Sequence, residues 1–209
     1  MKSSNVGGSL VFAGLVAAMI AAPLSAVEDI TQCDVLVSHP LDPDRITDGV
    51  SSVNVLHEEG IAACLAAVTR DPGNPRLNFQ LGRVYFYDGQ TEKALPHLEQ
   101  AADAGYRQAQ FVLGYVLDSG LGGADKDICR TEDLWLRAAR SGRLAALVSY
   151  PHHVMRGRFS HCTVQTGDAE MMAFLEQAKA RELDYYQTVL VNDLIEDLSA
   201  RMPAISGDE

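Results

Sequence analysis

The side chains whose types and spacing could do chemistry are a histidine cluster, three serines and four cysteines. His152, His153, His161 and Cys162 are all metal-ligand types within a short stretch. Their spacing matches no established zinc pattern, and adjacent histidines point in different directions on a helix. Ser119, Ser149 and Ser160 are nucleophiles by type. None stands in a Ser-x-x-Lys or Gly-x-Ser-x-Gly setting that would place an activating base beside it. Cys33, Cys64, Cys129 and Cys162 include no CxxC pair, which disfavours a redox motif or a thiolate zinc site. No catalytic residue, metal or cofactor is expected.

The compartment follows from the first residues. Met1-Lys2 precedes an apolar run from Leu10 to Ala22 and the small-residue exit Pro23-Leu24-Ser25-Ala26. That order is the n-region, h-region and exit of a secretory signal peptide, and the run is too short for a comfortable membrane span. Cleavage after Ala26 is predicted, with no membrane insertion afterwards; the alternative is an uncleaved anchor. Val27 stands where a lipoprotein would need Cys, so a lipid anchor is not indicated. The whole chain has a formal net charge of −11, and losing Lys2 makes it more acidic still. Nucleic acid and anionic membrane surfaces are therefore disfavoured as partners. An even cysteine count in an exported chain favours two disulfides, with three connectivities open.

The elements that must position these residues read as helices. Residues 27–52 are rich in Pro, Asp and Ser and lack a sustained helical period, so an extended arm is expected. Over 53–70, Leu56, Ile61, Cys64, Leu65 and Val68 share a face at helical spacing. Asp71-Pro72-Gly73-Asn74-Pro75 then stops that helix and starts the next, because Pro is favoured at a helix start and excluded from its interior. Leu81-Gly82 recurs as Leu113-Gly114. Ala146, Tyr150, Pro151 and Gly157 repeat the spacing of Ala109, Leu113, Gly114 and Gly120, with Pro151 predicting a kink. A helix from Ala169 to about Arg181 carries Met172, Leu175 and Ala178. The last, over 183–200, carries Leu190, Leu194 and Leu198 on one face and acidic residues on the other.

From Pro75, the stretch PRLNFQLGRVYFYDGQTEKALPHLEQAADAG resembles a tetratricopeptide repeat. The next, AQFVLGYVLDSGLGGADKDICRTEDLWLRAARSG, has a longer Gly-rich linker and resembles the Sel1-like repeat. The preceding Cys33-Asp34, His39-Pro40 and Asp42-Pro43-Asp44-Arg45 resemble the lead-in of exported bacterial Sel1-type proteins. The resemblance implies an all-α fold, a short right-handed α-solenoid of helix-turn-helix repeats with an N-terminal extended arm. Its parts would be a signal peptide at 1–26, the arm at 27–52, a repeat domain at 53–201 and a flexible tail at 202–209. Within the repeat domain, units fall at about 75–106, 107–143 and 144–182, between flanking helices 53–70 and 183–200.

In tetratricopeptide proteins the ligand lies along the concave side. Carried over position by position, that implies contacts from Arg76, Phe79, Arg83 and Phe86, and from Gln108, Phe111, Tyr115 and Asp118. Arg76 and Arg83 are two turns apart, so both guanidinium forks could hold an acidic or carboxylate-bearing peptide. The opposing reading is solvated Arg and core Phe. Stacking successive units brings their linkers together and implies a Cys129–Cys162 bridge, leaving Cys33–Cys64 to tie the arm to the first helix. The expected function is that of a non-enzymatic exported protein, periplasmic or secreted, that binds a protein or peptide. Its rivals are a β-lactam-binding or β-lactam-hydrolysing enzyme of the cysteine-rich Sel1 kind, and a structural spacer.

Overall fold

The computed structural model describes residues 29–163 and 165–202. The signal peptide expected at 1–26 lies outside the described residues, as do the residues beyond Met202. The described residues are helical, without a strand. In chain order the helices are α1 Gln32–Val37, α2 His57–Arg70, α3 Pro75–Tyr87, α4 Thr91–Asp103, α5 Arg107–Ser119, α6 Ile128–Arg140, α7 Leu144–Met155, α8 Asp168–Lys179 and α9 Tyr185–Arg201. Consecutive helices pack on one another from α1 to α9, so the chain builds an α-solenoid. Its core is accordingly three clusters strung along the array: around Cys33, Leu81 and Val84, around Phe79, Leu98 and Leu113, and around Trp135, Tyr150 and Leu175.

Local chemistry explains the helix ends. The Asn74 side chain accepts from the Arg76 and Leu77 amides, with Pro75 at the first helical position, so α3 begins where the sequence predicts. Gly120 ends α5 in the left-handed region at φ 67°, and the Asp127 carboxylate caps α6 through the Arg130 amide. The repeated Leu-Gly pairs have a packing cause. A Cβ on Gly82 would stand 2.8 Å from Leu98 of α4, and one on Gly114 would stand 2.5 Å from the Trp135 ring of α6. These two glycines therefore set how closely the helices of each unit approach. Helix α7 continues across Pro151 to Met155.

The segment expected to be an extended arm is folded. Thr31 and Asp34 form a capping box that starts α1, which packs against α2 and α3. The chain then makes a loop whose ends are tied by the Val50 amide donating to the Ser38 carbonyl at 2.7 Å and the Thr47 hydroxyl donating to the Asp34 carbonyl at 2.7 Å. A Cβ on Gly49 would fall 2.2 Å from the Pro40 Cα, so that closure requires glycine. Six helical residues are too few to show a period, which is why the pattern of apolar residues did not reveal them.

Both disulfides pair as expected. Cys33–Cys64 joins α1 to α2, with the Cα atoms 4.6 Å apart. Cys129–Cys162 joins the first turn of α6 to the segment after α7, with the Cα atoms 5.3 Å apart. At sequence separations of 31 and 33, each contributes roughly 3–4 kcal/mol by the chain-entropy argument.

Candidate binding groove

Helices α3, α5 and α7 carry the face on which a partner was expected, and the arm already lies on its first part. Asp34, fully buried at 0% exposure, holds Arg76 in an ion pair and also accepts from Gln80 Nε2 at 3.0 Å. Arg83 donates to the carbonyls of Val37 and Val50, while its Nε reaches the Tyr87 hydroxyl at 3.3 Å and its guanidinium lies 4.9 Å from that ring. The loop's tip is pinned to the second unit. The Tyr106 hydroxyl donates to Asp42 at 2.7 Å, and Arg107 bridges Asp44 and the Ser141 carbonyl. Burial pushes the Asp42 carboxyl up, partly countered by the Tyr106 hydrogen bond. The two arginines expected to face a ligand thus hold the arm instead.

Beyond the arm the face opens into a hollow of about 320 Å³. Phe79, Arg83, Phe86, Gln108, Phe111 and Tyr115 all line it, so six of the eight residues expected on a binding face converge here. Its apolar walls are continued by Leu98 and Val112, and Tyr115 stands at its exposed edge. Phe79 is both core and wall: it is 0% exposed, with its ring 5.6 Å from that of Tyr106. Of the other two, Arg76 lies under the arm, and Asp118 forms an ion pair with Arg158 at 2.7 Å.

Among the lining residues that were not foreseen are His39 and Leu41 from the arm, and Arg143 at the start of α7. Arg143 is buried. Its Nε donates to Gln108 Oε1, and its guanidinium lies 5.3 Å from the Phe111 ring centroid. Burial holds its pKa below the usual arginine value. The His39 Nδ1 accepts from the Leu41 amide at 3.0 Å, and its pKa is lowered to about 4 by burial and then by the fields of Arg83 and Arg143. Neutral His39 therefore lines a hollow whose formal charges are both positive. A second hollow of about 390 Å³ continues along α7 and α9 past Val148 and Leu190, and shares Leu41 and Arg143 with the first. Arg143 occupies the turn between units that holds Tyr106 in the preceding one, and that repeat position was the signal available.

The histidine cluster is not assembled as a ligand set. His153 lies 5.0 Å from the Trp135 ring, His161 is exposed and Cys162 is in its disulfide. The His152 Nδ1 is buried without a hydrogen-bond partner among the described residues.

No family model matches the sequence, and no curated protein does. Solved structures do. One is a protective antigen present in uropathogenic Escherichia coli strains that displays an SLR fold, with a TM-score of 0.55 and 20% identity over 79% of this chain. This chain spans only 32% of that antigen's length. Another is a Sel1 repeat protein from Oxalobacter formigenes, with a TM-score of 0.51 and 25% identity over 62% of this chain and 97% of that one. With its paired helices, its Gly-rich linker and these structural neighbours, the chain has the Sel1-like repeat fold.

Proposed function

We propose that the protein is a non-enzymatic, exported repeat scaffold that binds a protein or peptide partner along the concave face of the solenoid. The observation that carries this reading is the hollow between α3, α5 and α7, where six residues of the expected binding face meet around one apolar cavity. An apolar cavity with a few convergent polar groups is the usual form of a recognition site. The scaffold around it is held by two disulfides, so little ordering remains to be done on binding. The same disulfides support an oxidising compartment, the periplasm or beyond. The arm covers only the start of this face, because it already holds Arg76 and Arg83, and the site begins at the hollow beyond it.

The test is a photoreactive side chain at Tyr115, 52% exposed at the rim of the hollow, with Tyr186 of α9, 81% exposed, as the control position. A discrete adduct in the native envelope from position 115 and not from 186 is expected. Equal labelling from both positions, or none from 115, contradicts the reading.

A further inference from the structure

Three arginines on this face are buried, and they differ in what they meet. Arg76 has the carboxylate of Asp34. Arg83, 3% exposed, has only neutral acceptors: two carbonyls and a tyrosine hydroxyl. Arg143, 6% exposed, has the Gln108 amide oxygen on its Nε and the Phe111 ring beside its plane. Neither Arg83 nor Arg143 forms an ion pair among the described residues. Asp42 acts on Arg143 through space, but its oxygens accept from the Tyr106 hydroxyl and the Asp44 amide. A buried guanidinium without a counter-ion is costly unless an anion joins it. Arg143 also keeps both terminal NH2 groups clear of protein acceptors among the described residues, and that fork matches a carboxylate.

Shape narrows the ligand further. The hollow, about 320 Å³, is at the small end of ligand cavities, sized for a single bulky residue. His39 and Leu41 bound it on the arm's side, while Arg143 sits where it meets the second hollow along α7 and α9. A chain lying over Val148 and Leu190 would reach Arg143 where the two hollows meet, with Leu41 of the arm bordering both. We propose that this hollow receives the C-terminal residue of a partner polypeptide, its free carboxylate on the Arg143 fork and its apolar side chain against Phe86 and Phe111. The assignment rests on the concave-face reading above and adds the chemistry of the segment that enters.

The experiment uses the disulfide-bonded protein and fluorescein-Gly-Ser-Gly-Ala-Phe in three forms: with a free C-terminus, as the C-terminal amide, and with the final Phe replaced by Gly. Fluorescence anisotropy should show binding of the free acid. The amide and the Gly-terminated peptide should each bind at least tenfold more weakly. Arg143→Gln should lose a similar factor, and Arg143→Lys should fall between. Acid and amide binding within threefold of each other on the native protein overturns the proposal without relying on any variant. So does the absence of binding at millimolar peptide, or 3-phenylpropionate binding more tightly than the peptide acid, which would make the hollow a small-acid site. If crosslinking from position 115 persists while these peptides fail, the terminal-carboxylate assignment falls and the groove stands. If both fail, the groove falls with it.

Discussion

Asp34 and Arg143 carry opposite consequences for substitution. Asp34 is buried against Arg76, Gln80 and its own cap, so Asp34→Ala breaks a buried ion pair and removes the start of α1. We expect a loss of roughly 3–5 kcal/mol, read as a lower urea midpoint. Tyr115→Ala should leave stability within about 0.5 kcal/mol, because its side chain is largely in solvent, and should weaken partner capture. Charge reversal at Arg76 or Arg83 would report on the docking of the arm, since both side chains are buried under it. By their positions in the repeat the sequence put Arg83, Phe79, Phe86 and Tyr115 on one face, and the structure brings all four to one hollow. It could not show that Arg76 and Arg83 bond the arm while the fork of Arg143 stays clear of it. That distinction depends on contacts such as Asp34–Arg76, made across a sequence separation of 42.

At the scale of elements, the repeat units were legible because each rests on short-range signals: Asn74-Pro75 at the start of α3, Leu-Gly pairs at close approaches, and Gly120 after α5. The arm was not, although Thr31 followed three residues on by Asp34 is a capping signature that could have marked α1. Its course past α1 is set by long-range bonds, Tyr106 to Asp42 and Arg107 to Asp44, that no local pattern announces. Two predictions belong here. Gly114→Ala drives a methyl into the Trp135 ring, whose Nε1 is held by the Phe111 carbonyl, and should cost about 1–3 kcal/mol by thermal or urea melting. Cys33→Ser with Cys64→Ser should cost on the order of 3–4 kcal/mol and make the loop around Pro40–Gly49 a site of limited proteolysis.

For the whole molecule, the histidines set an acid limit. His39 has a folded pKa of about 4 against 6.5 unfolded, and His97, His152 and His153 are lowered by burial as well. A lowered histidine binds its proton more readily in the unfolded chain, so the stability it supports is full above pH 6.5 and is lost as pH falls towards 4. The raised pKa of Asp42 acts in the opposite direction. Melting temperatures followed from pH 7 to pH 4 should therefore decline, and His39→Asn should decline less steeply. The central claim, however, is spatial: a disulfide-braced solenoid whose arm covers the first part of its inner face and leaves the rest open for a partner. A crystal structure of the protein with the partner segment identified by crosslinking at Tyr115 tests it most directly. The account predicts that segment between α3, α5 and α7, against Phe111 and Arg143, with the Asp34–Arg76 and Asp44–Arg107 contacts of the arm intact. A segment seated on the outer helices α4 and α6, or one that displaces the arm and takes over Arg76 and Arg83, would contradict it.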